Sequence, residues 1–343
     1  MNATFSFTVN SKQANTTLLA CLLPAIPYLQ PEQWQALLLG EQNTLTGAIT
    51  DTVTNIIKGT IEVDGVIVSK DVLLLAGQIV RYTINDYQEA EVDDTWSQIW
   101  SNDEISAIHK PANLPVNRTT RNVYNTLIQL LRRESPWPDA HLLHRLDLET
   151  SGLILIAQNN AMARQYQSKL KNIIKRKLYR AVVTGKPDWK IKDFICDLGT
   201  LDESQGGSAI RSQMHVLPKG EGKESRTLFN VLATQIKEGV SYSLIECELF
   251  TGRKHQIRAQ LAHLGHAIVG DKIYSNGGAF YLKRLEKVLT DADYETLLTP
   301  HHLLHAYEIH LFNLWHLNDG LNEKDVLILQ DDDFPESWHA FDF

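Results

Sequence analysis

Apolar and polar residues alternate on either side of Asp64-Gly65 between Thr60 and Ile84 (IEVDGVIV), the pattern of a β-hairpin, and Gly77 marks a second turn. Glu104 to Val116 (EISAIHKPANLPV) reads as a strand that runs into a proline-punctuated loop, with a helix following from about Asn122 to Arg133. After Gly152 the run LILIA is a buried strand, and Asn159-Asn160 is placed to cap a helix from Ala161 to Lys177. Strand patterns return at Tyr179–Thr184, Leu228–Leu232 and Tyr242–Phe250, a helix fits Lys254–His263, and Leu303–Phe312 reads as a further strand. The Gly-, Ser- and charge-rich stretch from Glu203 to Glu224 reads as a surface loop. Helices and strands mix without a regular strand-helix-strand repeat. The expected fold is therefore α+β: a large mixed, mostly antiparallel sheet flanked by helices and loops, plus a small N-terminal α+β domain.

The acidic stretch NDYQEAEVDD, Asn85 to Asp94, divides the pattern. It predicts an N-terminal domain over residues 1–88, an acidic linker over 89–97 and a second, larger domain over 98–343. With 343 residues and an apolar fraction of 43%, the chain can bury a sizeable core in each. The apolar run from Thr17 to Leu29 is interrupted by Pro24 and Pro27 and falls short of the roughly 18 apolar residues of a membrane span. Cys21, Cys196 and Cys247 are odd in number and far apart, with neither a CxxC pair for zinc nor an even disulfide set. A reducing cytoplasm, no membrane and no metal are expected; the histidines His141, His255, His263 and His266 show no ligand spacing.

A formal net charge of −8 argues against a polyanion partner only as an average. From His141 to Ser275 there are 20 Lys and Arg against 13 Asp and Glu, so this middle carries +7 and the remainder −15. Such segregation predicts one cationic face. Lys169, Lys171, Lys175, Arg176 and Lys177 form a run with no acid beside it in sequence, which fits phosphate binding better than pairing along a helix.

The densest chemical signal is HRLDLETSG, His144 to Gly152, where Asp147 stands between two leucines. An isolated loop aspartate is ordinarily a turn former. This nonapeptide, however, resembles the HRLDxxTSG signature of the RluA-type pseudouridine synthases, and Thr251 to Tyr274 (TGRKHQIRAQLAHLGHAIVGDKIY) resembles their TGRTHQIR and GDxxY elements. His109-Lys110-Pro111, Leu114-Pro115-Val116, Lys177 with Tyr179 and Gly185, and Leu304-His305-Ala306 extend the resemblance over Glu104 to Phe312. It implies a pseudouridine-synthase fold for a catalytic domain over 98–343 and an isomerase that converts specific uridines in structured RNA, ribosomal or transfer; no cofactor and a monomer are expected. It further implies that Asp147 is the carboxylate attacking a flipped-out nucleotide, that Arg258 pairs with it, and that Tyr179 lies against the base. Arg145 resembles the arginine that fills the vacated place in the stack. Arg253, Lys175, Arg176 and Lys177 are expected on phosphates, and His144 in a structural role. The chemistry calls for a dry, charged, tightly held carboxylate with a fixed cation to keep it ionised.

Lys254, Gln260 and Asn113 stand where the family usually has Thr, often His and commonly Gly. Leu18 to Ile84, in the order helix, helix, hairpin, resembles the S4 RNA-binding domain with an insertion at Gln42–Ile57. Up to Ile84 the chain carries only Lys12, Lys58, Lys70 and Arg81 as cations, so reduced or lost RNA affinity is expected. Two other readings compete. A noncatalytic RNA-binding protein is opposed by the intact Asp147, Tyr179 and Arg258, and a nucleoside N-glycosidase by the lack of a second acid other than Glu149 nearby.

Overall fold

The computed structural model describes residues 2–26, 29–39, 58–201, 209–312, 326–341 and 343; the expected insertion at Gln42–Ile57 lies outside the described residues. The chain forms two compact units, Met1–Glu91 with Asn117–Thr126, and Val92–Val116 with Leu127–Phe343.

The first unit is a four-stranded antiparallel sheet of order β1-β4-β2-β3, built from β1 (Ala3–Thr8), β2 (Gly59–Val63), β3 (Val66–Ile67) and β4 (Ile79–Ile84). Helices α1 (Leu18–Leu22) and α2 (Pro31–Leu39) contribute Leu18, Leu22 and Trp34 to its core. The expected hairpin is β2–β3. Its two turn residues, Asp64 and Gly65, both have positive φ (50° and 79°), as the tight hairpin turn needs. Asn117–Thr126 joins this unit because one carboxylate, Glu89, accepts three consecutive amides, those of Val123, Tyr124 and Asn125, at 2.5 to 2.8 Å. These bonds hold Asn122–Asn125 in turns, so the helix expected from Asn122 begins only at Leu127.

The second unit carries a sheet of eleven described strands. They are β5 (Ser97–Ser101), β6 (Ile105–Lys110), β7 (His141–Leu142), β8 (Ser151–Ala157), β9 (Ile174–Thr184), β10 (Ile191–Gly199), β11 (His215–Leu217), β12 (Lys223–Lys237), β13 (Val240–Leu249), β14 (Leu304–Phe312) and β15 (Val326–Gln330). The order is β11-β10-β12-β13-β9-β14-β8-β6-β5, with β15 on β14 and β7 on β8. Only the β8–β14 pairing is parallel among the described strands, so the sheet is mixed and mostly antiparallel, as expected. The helices are α3 (Leu127–Glu134), α4 (Asn160–Gln167), α5 (Leu170–Ile173), α6 (Gln256–His263), α7 (Ala279–Glu286) and α8 (Asp291–Leu297). Strand β8 explains the unbroken LILIA run: Ile154 and Ile156 enter one core cluster while Leu153 and Leu155 enter another, so both faces are covered.

Two expected elements are corrected. Asn159 caps α4 by accepting from the Met162 amide, but that helix ends at Gln167, and after α5 the chain turns into β9 at Ile174. Lys175, Arg176 and Lys177 therefore lie on a strand, where the β-branched pair Ile173-Ile174 and pairing with β13 and β14 override the helical pattern. Within Glu203–Glu224, expected as loop, His215–Leu217 forms the edge strand β11 against β10.

Candidate active site

Asp147 sits in the turn between β7 and β8, and every residue after it up to Ser151 is fastened. Lys110, fully buried, donates from Nζ to the carbonyls of Pro111, Leu114 and Leu148 at 2.7 to 3.1 Å. Glu149 accepts from Lys272 at 2.9 Å and Arg284 at 3.1 Å. Burial opposes its charge, yet Lys272 and its neighbours outweigh that and hold its pKa down at about 2. Thr150 and Ser151 bond through their hydroxyls to His302 and His305 at 2.8 and 2.9 Å. Gly152 has φ 104°, and a Cβ there would lie 2.4 Å from the Ala306 carbonyl oxygen; its glycine lets β8 and β14 approach in parallel. His144 accepts the Leu155 amide at 3.0 Å, and burial with the nearby Lys177 charge lowers its pKa to about 3, so it is a neutral structural residue.

Facing this turn is α6. Gln256, at its first position, ties down the Thr251-Gly252-Arg253 turn by accepting from the Thr251 hydroxyl and the Arg253 amide. Arg258, two residues further on, is buried. Its Nε and Nη2 donate to Asp271 at 2.7 and 3.0 Å, and its Nη1 donates to Asp147 Oδ2 at 2.7 Å. Asp271 is held in turn by the Ile273 and Tyr274 amides, and the Tyr274 ring lies beneath the guanidinium at 5.2 Å. Burial raises the pKa of Asp147, but the Arg258 charge and its hydrogen bond prevail and keep the carboxyl below its ordinary range. Oδ1 of Asp147 has no hydrogen-bond partner among the described residues, so one oxygen is anchored and the other is open.

Around that oxygen lies a cleft of about 70 Å3 lined by Asp147, Arg258, Tyr179, Arg145, Arg253 and His255 among others. Tyr179 projects from β9, and burial together with the Asp147 charge raises its pKa, keeping the phenol protonated. Arg145 is exposed at the mouth, and Arg253 donates to the Glu224 carbonyl at 2.9 Å from the rim. Five of the eight sequence-predicted residues thus share one cleft. The other three do not line it. Arg176 makes a two-bond pair with Glu248 at 2.8 Å, Lys175 lies over the Phe312 ring at 5.7 Å, and Lys177 is half-buried beside His144 and Tyr179. Three further residues, to which the sequence motifs alone assign no role, contribute to the site: Asp271, His255 and Lys110. Asp271 is visible as the acid of GDxxY, but its partner lies thirteen residues back and only the fold shows the bond. Asn113, in place of the family's common Gly, has φ 59°, a conformation that Asn tolerates. Gln260 is fully buried and bonded to Thr227 and Ser225.

Comparison with known proteins decides the lineage. A family model described as RNA pseudouridylate synthase matches residues 104–263. An uncharacterized RNA pseudouridine synthase of Synechocystis is 34% identical over 64% of this chain and 72% of that protein. The ribosomal large subunit pseudouridine synthase D of Buchnera aphidicola is 32% identical over 67% of this chain and 68% of its own length. The chain belongs to the RluA-type RNA pseudouridine synthases. This synthase is accordingly an isomerase that converts uridine to pseudouridine in RNA. The solved human RNA pseudouridylate synthase domain containing 1 shares its fold, with a TM-score of 0.51 at 21% identity over 72% of this chain and 86% of that one. Among the described residues, no helix is long and apolar enough to cross a membrane and no cluster of His, Cys, Asp and Glu is arranged to hold a metal.

Proposed function

We propose that Asp147 is the catalytic carboxylate of this synthase and that its open oxygen, Oδ1, meets the ribose or base of an everted uridine. The observation that carries the reading is the bond from Arg258 Nη1 to Asp147 Oδ2, made by a guanidinium that Asp271 already grips from the other side. In the reaction the C1′–N1 bond breaks, C1′ bonds to C5, the C5 proton leaves and N1 takes one up, so that the product is an isomer of the substrate. A carboxylate that stays ionised while largely shielded from water serves each stage. Tyr179 supports the base from the wall of the cleft. Its protonated phenol passes the C5 proton only by handing on its own. Arg145, exposed at the mouth, takes the everted nucleotide's place in the stack, and Arg253 meets phosphate.

The substrate is structured RNA, and the synthase D relative favours ribosomal RNA over transfer RNA. The synthase is read as acting as a monomer in the cytoplasm, a reducing compartment that suits its three free thiols. The first unit is read as S4-like with a weak RNA grip, since Arg81, one of its few cations, lies 3.8 Å from Glu62. Glycosidase action is disfavoured because Glu149, the second acid of the turn, is committed to Lys272 and Arg284. The test is tritium release from ribosomal RNA transcribed with uridine labelled at C5. Wild-type protein releases tritium and Asp147→Asn, still folded, does not; equal release by the variant, or free uracil among the products, overturns the reading.

A further inference from the structure

His255 stands in the HQIR element between two assigned arginines, yet the reaction as described above gives it no task. It occupies the N-cap position of α6 with a left-handed backbone, φ 53°, which aims its ring into the cleft rather than along the helix. Nδ1 lies 3.2 Å from the Tyr274 hydroxyl and Nε2 lies 3.8 Å from Asp147 Oδ2. The direction of the hydrogen bonds follows from the far end of this short relay. The Met214 amide can only donate, and it donates to the Tyr274 oxygen at 2.8 Å. The single proton of the Tyr274 hydroxyl has His255 Nδ1 as its acceptor among the described residues. The tautomer with Nδ1 as acceptor and the proton on Nε2, the nitrogen that faces the cleft, is the favoured one, because the other would turn a lone pair towards the Asp147 carboxylate 3.8 Å away. Burial and the Arg258 charge push the His255 pKa down to about 4, in agreement with a neutral ring.

The reaction needs such a group. When the C1′–N1 bond breaks, its electron pair passes to the pyrimidine and spreads onto the carbonyl oxygens at C2 and C4. Three of the five N–H donors of Arg258 are committed to Asp147 and Asp271, and its positive charge is already shared between those two carboxylates. A neutral imidazole N–H beside the carboxylate can meet the new charge. It stabilises an oxyanion without protonating it and without neutralising Asp147.

The geometry points to His255 as a further catalytic residue: its Nε2–H donates to a pyrimidine carbonyl oxygen of the target uridine as negative charge develops there. This rests on the proposal that Asp147 is the catalytic carboxylate. Two substitutions separate the roles of the two ring nitrogens. In His255→Gln the amide nitrogen reaches the place of Nε2 and keeps a cleft donor, whereas in His255→Asn the side chain reaches only the place of Nδ1, keeping the Tyr274 bond and suiting the left-handed backbone. With C5-tritiated ribosomal RNA transcript as substrate, His255→Asn is expected to lower kcat by about 10²-fold with KM nearly unchanged, the loss typical of one oxyanion donor. His255→Gln is expected to recover at least about tenfold of that loss, since it retains the donor. The assignment is overturned if the Asn variant turns over like wild type, loses only through KM, or equals or exceeds the Gln variant. Absence of tritium release from the wild-type protein would instead overturn the underlying reading.

Discussion

Arg258 and Arg176 make the same contact in two different places. Each gives two hydrogen bonds to one carboxylate, Arg258 to Asp271 at 2.7 and 3.0 Å and Arg176 to Glu248 at 2.8 Å twice. The Arg258 side chain is 6% exposed and its Asp271 partner 0%, whereas Arg176 is 39% exposed. In water's reach such a pair contributes about 0–1 kcal/mol, and its purpose is largely to align β9 with β13. Out of water, removing one member strands a charge at a cost of about 3–5 kcal/mol. The chemical identity of the pair is therefore no guide to its role. Burial, and the third bond from Arg258 to Asp147, separate a strand fastening from a device that keeps a carboxylate charged.

The sharpest way to break this contrast is Asp271→Asn. It leaves Arg258 buried with only Asp147 as an ionic partner, and loss of about 3 kcal/mol in denaturant unfolding is expected together with a fall in turnover of at least about 10²-fold. Stability and turnover close to wild type would put Arg258 in the same class as Arg176. Next in size is Gly152→Ala, where the added methyl meets the Ala306 backbone and φ is 104°. Melting should drop by more than the equivalent of about 1 kcal/mol, and activity should fall with it because the Asp147 turn precedes this crossing; an unchanged melting curve would remove the role given to the TSG element.

A smaller and distributed effect is expected from pH. Glu149 titrates at about 2 in the folded protein against an ordinary 4.5, and Asp147 and Asp271 are also held low. A native pKa below the unfolded one means that this stabilisation is complete above about pH 4.5 and is lost as pH falls towards 2. His144 and His255, held neutral with pKa values of about 3 and about 4, add a loss that begins below their ordinary 6.5, so thermal melts should fall from there and steepen below about pH 4.5; a decline already complete at about pH 5 would remove the part given to the carboxylates. The least effect belongs to Arg176→Ala, with a stability change under about 1 kcal/mol and little change in the salt dependence of RNA binding, since Glu248 already neutralises the arginine. The triple change Lys175→Ala, Arg176→Ala, Lys177→Ala should flatten that salt slope, but by less than three free cations would. A full three-cation change would show that RNA displaces Glu248.

Much of this contrast is legible in the amino-acid sequence. HRLDLETSG and TGRKHQIR point to Asp147 and Arg258, and the alternation of YSLIECELF marks β13. What the sequence hides follows from distance along the chain. The acids that answer Arg176 and Arg180 are Glu248 and Glu246, one strand away in space and more than sixty residues away in sequence, so a run without neighbouring acids looks free. The same run, basic and amphipathic enough for a helix, is drawn into β9 by strand partners on both sides. Asp271 is hidden for the same reason: its work is done through Arg258, on another element.

The central claim is that Arg258, fixed by Asp271, holds Asp147 negative. Carbon-13 NMR titration of the Asp147 carboxyl measures this directly in wild-type protein and in Asp271→Asn. The expected result is a pKa below the ordinary aspartate value of 3.8 in the wild type and a rise when Asp271 is lost. A wild-type value at or above 3.8, or one indifferent to Asp271, would contradict the account.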